Sequence, residues 1–110
     1  MNELQWSKTE KKIAKEAFES AYRRECEALA QKVREMAAHI TKPEELWRIQ
    51  DLLTQKRREI DRKYDYRYSV LILVFASLMK DGWLSEADLS GFREDKIEKI
   101  KSMAHRLDED

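Results

Sequence analysis

At 110 residues the chain has room for one hydrophobic core, since such cores form in chains of about 100 to 150 residues. Charged residues make up 40 % of it and apolar ones 42 %, with two glycines and one proline, too few for the tight turns of an all-β chain; an all-α fold is expected. A formal net charge of zero, from 22 basic and 22 acidic residues, removes any global attraction to nucleic-acid phosphates or anionic lipid.

The longest apolar run, Val70 to Ala76, is about a third of the ~20 residues a membrane-spanning helix needs, so no membrane insertion is expected. Met1 to Ser7 lacks the basic start and apolar middle of a signal peptide, which points to a cytoplasmic location. Cys26 is the only cysteine, and His39 and His105 are the only histidines. No intrachain disulfide, no metal-ligand spacing and no phosphate-binding glycine loop exists, so neither metal nor cofactor is expected.

Ser7 and Glu10 have capping-box spacing and open a long amphipathic helix carrying Ile13, Ala14, Ala17, Phe18, Tyr22, Leu29, Val33, Met36 and Ile40. Thr41 with Glu44 repeats the box, and Pro43 falls in the first turn, where its missing N–H costs nothing. The second helix then places Leu46, Ile49, Leu53 and Ile60 at spacings of three, four and seven. That is a narrow seam suited to a partner helix.

Lys63 to Tyr68 has no periodicity and reads as a bend before Val70 to Met79, which is apolar on nearly every side and should be the most buried helix. Gly82 is expected as a left-handed cap. Ser85 with Asp88 should start a fourth helix, interrupted briefly at Gly91, with Leu84, Leu89, Phe92, Ile97, Ile100 and Met103 as its apolar face and a frayed tail from Asp108 to Asp110. Two helices of about 25 to 30 residues would each run roughly 40 Å, too long for one small chain to cover. The expected architecture is therefore a single all-helical domain over 1–110. Its long helices, within 1–64, pack antiparallel with those of a second copy as a stalk, and 65–110 forms a helical head.

Trp47, Asp51, Thr54 and Arg58 step by three and four along the second helix, with Gln50 and Arg57 beside them, off the Leu46–Leu53–Ile60 line. An indole flanked by a carboxylate, an amide and guanidinium groups is the composition of a protein-binding hot spot. The same residues also fit a cap on a dimer core with ordinary surface ion pairs. The basic run Lys56, Arg57, Arg58, Arg62, Lys63 and Arg67 alternates with Glu59, Asp61 and Asp65, which makes a solvated face a better reading than a nucleic-acid stripe. Cys26, between Tyr22 and Leu29, reads as a buried thiol, and both histidines read as caps at helix C-termini. Nothing here has the pairing that acid–base or nucleophilic chemistry needs, so the chain is read as a non-enzyme.

Over EELWRIQDLLTQKRREIDRKYDYRYSVLILVFASLMKDGWLSEADL, residues 44–89, the frame LW, D, KR, EID, KYD, R, SV, VFA and a closing K-acid-G resembles the fluorescence recovery protein family of cyanobacterial photoprotection. The likeness runs from Leu46 to Lys101 and more weakly through AYRRE at Ala21 to Glu25. It implies an all-α antiparallel homodimer with no cofactor, which binds the photoactivated orange carotenoid protein and hastens its return to the resting form. Residue by residue it implies a partner-binding role for Trp47, Asp51, Arg57 and Lys99. Two further partner-contact positions differ from the family: Gln50 stands where histidine is common, and Leu73 where an aromatic stands. Besides this regulatory reading, the sequence leaves open a family-like dimer with another protein partner and, in a different class, a nucleic-acid binder.

Overall fold

The computed structural model describes residues 5–109. Met1 to Leu4, part of the stretch read above for a leader, and Asp110 at the tail lie outside the described residues. Four α-helices, α1 (Lys8–Ala38), α2 (Pro43–Lys63), α3 (Leu71–Lys80) and α4 (Glu94–Glu109), follow one another with a single 3₁₀ turn at Glu86–Leu89. No strand occurs among the described residues. The all-α expectation holds, with α2 shorter at 21 residues than the periodicity suggested.

The caps explain where each helix starts. Glu10 N–H donates to Ser7 Oγ at 3.0 Å while the Glu10 carboxylate accepts from Ser7 N–H at 3.1 Å, the reciprocal box expected there. At α2 the carboxylate that closes the turn is Glu45 rather than Glu44: Glu45 Oε1 accepts from the Thr41 N–H, the Thr41 hydroxyl and the Lys42 N–H. Helix α2 begins one residue later than the Thr41 reading, with Pro43 as its first residue. After α3, Gly82 at φ +87° receives the chain in the left-handed conformation. Its N–H bonds Met79 O, and Trp83 N–H bonds Leu78 O, the paired bonds of a Schellman close.

Ser85 and Asp88 do form a box, but it opens only the 3₁₀ turn. Gly91 at φ +104° ends that turn, and α4 starts after it. A Cβ at Gly91 would lie 2.4 Å from Ile13 Cδ1, so the glycine also allows α1 to approach. At its far end α4 continues through Asp108 to Glu109 instead of fraying.

The core gathers Leu71, Ile72, Val74, Phe75, Ala76 and Leu78 of α3 with Leu84, Leu89, Phe92, Ile97, Ile100 and Ala104. It also takes in Ala14, Ala17 and Ala21 of α1, whose small side chains at helical spacing let that helix lie close on the head. The first half of α1 thus belongs to the head's core. Beyond it the chain projects as a helical hairpin, giving principal extents of 56 × 28 × 22 Å. Between Cys26 and Glu59 no residue is buried.

Candidate functional site

Helix α2 carries most of the predicted site. Ile60 is only 6 % exposed and fills the space between the hairpin's two helices, so it is an intrachain contact before it is anything else. Ile49 is half-buried, whereas Leu46 and Leu53 stand 48 % and 41 % exposed. At ~100° per residue the four fall within about 60° of one another on α2, with Ile49 and Ile60 at the edge nearer α1 and Leu46 and Leu53 at the edge away from it. The four-residue seam thus divides between an inward pair and an outward pair.

Trp47 is 58 % exposed and projects from the side of α2 opposite α1. Gln50 and Asp51, one turn on, are exposed beside it, as is Arg57 farther along. Arg57 Nε donates to Asp61 across 3.1 Å, in a pair whose side chains are mostly in water. Such a pair contributes at most ~1 kcal/mol. Trp47, Gln50 and Asp51 come together on one face, and Arg57 follows on the flank of Leu46 and Leu53.

Leu73 and Lys99 lie elsewhere. Leu73, 48 % exposed on α3, lines a depression with Met103, Arg106 and Leu107, and the exposed Lys99 is one turn before Met103 on α4. The six predicted partner-binding residues therefore form two groups in a single chain, one on the hairpin and one on the head.

The basic run is largely neutralised by neighbours: Lys56 pairs with Glu59, Arg57 with Asp61, Arg67 with Asp65, and Lys63 with Glu25 and Asp81. Cys26 is half-buried rather than sealed in the core, because it lies where the hairpin leaves the head. His39 caps α1, with Nδ1 2.8 Å from the Glu35 carbonyl. His105, in the last turns of α4, reaches Glu109 at 3.1 Å.

Three charged clamps that no local spacing announced tie α1 to the other elements. Lys96 Nζ reaches Glu10 Oε1 at 2.7 Å, and both are buried. Arg24 grips Asp88 with two parallel bonds of 2.9 and 3.0 Å and also donates to the Trp83 carbonyl. Glu25 accepts from Lys63 and from the Tyr64 hydroxyl, each at 2.9 Å. Burial raises the Tyr64 hydroxyl well above its usual pKa, and the Glu25 carboxylate raises it further. Arg24 and Glu25 belong to the AYRRE stretch, the one sequence signal that touched them.

A helical hairpin braced on a helical head, with an exposed indole face and among the described residues no metal-binding cluster, defines an all-α protein whose distinctive surface is suited to contact. The family model described as "Photoprotection regulator fluorescence recovery protein" matches residues 6–104, and the chain belongs to that family. It is 43 % identical over 102 residues to the fluorescence recovery protein of Synechocystis sp. PCC 6803, covering 93 % of this chain and 94 % of that one. Its structure resembles the fluorescence recovery protein of Fremyella diplosiphon with a TM-score of 0.87 at 48 % identity, over 92 % of this chain and 99 % of the other. The Synechocystis structure gives a TM-score of 0.87 at 42 % identity with the same coverage. Photoprotection regulation is thus the family's role, and no described helix is long and apolar enough to cross a membrane.

Proposed function

We propose that this chain works without catalytic chemistry of its own, as a cytoplasmic homodimer that binds the photoactivated orange carotenoid protein and speeds its return to the resting form. The observation that carries the reading is the uncovered hairpin. From Cys26 to Glu59 nothing is buried, although the stretch holds Leu29, Val33, Met36, Ile40, Leu46, Trp47, Ile49, Leu52 and Leu53. Leu46, Trp47 and Leu53 are exposed and the other six half-buried, an apolar surface of the kind that marks an interaction face. Leu46 and Leu53 serve the second copy with the part of Ile49 that α1 leaves uncovered, Ile60 supports them from within the hairpin, and Trp47, Gln50, Asp51 and Arg57 serve the partner, with Leu73 and Lys99 as a second contact on the head. An accelerator of this kind needs only to bind the transition state, or one conformational state, better than the starting one. No catalytic group is required.

The test follows back-conversion of the red carotenoid protein by absorbance, with the unchanged chain and with Trp47→Ala. Burying an indole contributes several kcal/mol, more than a surface ion pair such as Arg57–Asp61 farther along the helix, so the variant should lose acceleration while keeping its helicity and sedimentation. Equal acceleration by both would remove Trp47 from the site. A second reading, a dimer with a different protein partner, is favoured by Gln50 and Leu73, the two contact positions that differ from the family. Failure of the unchanged dimer to accelerate at all would select it.

A further inference from the structure

Where the hairpin joins the head, a groove of about 410 Å³ opens between α1 and α2, lined by Phe18, Glu19, Tyr22, Ile60, Asp61 and Tyr64. Its volume lies in the range of small-ligand sites. The aromatic walls are held in place: Tyr64 packs edge-on with Phe18 at 5.4 Å and with Tyr22 at 5.3 Å, and Tyr66 braces Phe18 at 4.9 Å. Yet Tyr22 stays 47 % exposed. A large ring fixed by its neighbours and left open to water is poised for a contact rather than for the core.

The charges at the groove decide what fits it. Glu19 and Asp61 are exposed carboxylates in its lining. The nearby Lys63 is held by Glu25 and Asp81, and the Tyr64 hydroxyl is committed to Glu25. Among the described residues, cations sit over the rings of Tyr68, Tyr64 and Trp6, and none sits over Tyr22 or Phe18. Aromatic faces carry negative potential, and a guanidinium both stacks on such a face and pairs with carboxylates through its planar fork. An ammonium is more strongly hydrated and does this less well. Besides Lys63, which lies over Tyr64, Arg57 reaches the lining, and it holds Asp61 in an exposed pair that water weakens, so Asp61 can accept a second donor.

We propose that this groove receives an arginine side chain of the protein partner, its guanidinium stacked on Tyr22 and paired with Asp61 and Glu19 and its stem lying along Phe18 and Ile60. Because Arg57 stands beside Asp61, the groove continues the α2 face and gives the partner a foothold on α1. The proposal deepens the protein-binding reading and rests on it for the identity of the partner, but the groove's chemistry can be tested without that partner.

Full-length ¹⁵N-labelled protein is titrated with N-acetyl-arginine methylamide, and in parallel with the lysine and norleucine analogues. The arginine compound should shift the amides of residues 18–22 and 60–64 selectively. Glu19→Gln combined with Asp61→Asn should weaken that response about tenfold, as expected for losing two charge partners of a stacked cation. Tyr22→Ala, at an exposed position, should abolish it with dichroism unchanged. An absent response, or an equal one from lysine or norleucine, overturns the proposal. So does a groove whose amides follow dimerisation as protein concentration rises, for then a second copy occupies it. None of these readouts uses the carotenoid protein, so their failure is distinct from failure of the Trp47→Ala test.

Discussion

Lys96 and Glu10, 86 residues apart in sequence, meet at 2.7 Å with both side chains almost fully buried. The carboxylate also accepts from the Arg93 and Ser7 N–H groups, while the ammonium donates to the Gln5 carbonyl and lies 4.6 Å from the Trp6 ring centre. A buried ion pair offsets its desolvation only when further hydrogen bonds complete it, and these do. The pair thereby ties the first turn of α1 to the first turn of α4.

Removing one partner should therefore cost far more than a surface charge would. Lys96→Met leaves the Glu10 carboxylate buried without its cation, and the expected loss is about 3 to 5 kcal/mol. Urea unfolding followed by dichroism measures it. A loss below ~1 kcal/mol would show that the site admits water.

Acid should loosen the same joint. Burial raises the Glu10 pKa, but the bonds from Lys96, Arg93 and Ser7 outweigh it and bring the group down to about 2. The Arg24 guanidinium, against the opposing effect of burial, brings Asp88 to about 2 as well. Both lie below their unfolded values, so each contributes stability at neutral pH that disappears as pH falls, from about 4.5 toward 2 for Glu10 and from about 3.8 toward 2 for Asp88. The Glu10 term is at most on the order of 3 kcal/mol, and the Asp88 term is smaller because Arg24 is partly in water. Stability measured across pH 6 to 2 should fall steeply, and the slope should be visibly shallower in Asp88→Asn. Identical slopes would remove Asp88 from the acid transition.

Gly91→Ala tests how closely α1 approaches the head. The position combines a positive φ with a Cβ site 2.4 Å from Ile13 Cδ1, so alanine meets both backbone strain and the tip of a side chain. A loss of about 1 to 2 kcal/mol is expected, and Ile13→Val in the same chain should recover part of it. No recovery would assign the whole cost to the backbone.

Local features of this fold were legible in the sequence because they are made by neighbours. The Ser7–Glu10 box, the Gly82 cap and the apolar run that became α3 all depend on residues a few positions apart. The misjudged boundaries were off by the reach of one side chain: Glu45 rather than Glu44 closes the cap of α2, and the Ser85–Asp88 box opens a 3₁₀ turn because Gly91 follows so soon. The clamps Glu10–Lys96, Arg24–Asp88 and Glu25–Lys63 were not legible, since periodicity within a helix says nothing about which distant charge it will meet. The same limit explains the seam. Spacing placed Ile60 in line with Leu53, and only the position of α1 distinguishes the buried member from the exposed one.

That distinction yields a test of the dimer in which two substitutions of one kind should behave oppositely. Leu53 is largely exposed in a single chain, whereas Ile60 is buried by the chain's own helices. Leu53→Glu therefore places its carboxylate in water in a lone chain, at little cost to the protomer, but in the proposed dimer it places that charge in the interface, where desolvation costs several kcal/mol. It should sediment as a monomer with full helicity. Ile60→Glu puts the charge inside the protomer, so it should lower the thermal midpoint by many degrees at any concentration. A Leu53→Glu protein that remains dimeric at micromolar concentration would take Leu53 out of the interface, and a wild-type chain that sediments as a helical monomer there would end the dimer itself. A folded, stable Ile60→Glu would mean that the hairpin opens readily between α1 and α2, and the rigid groove proposed at its base would then lose its frame.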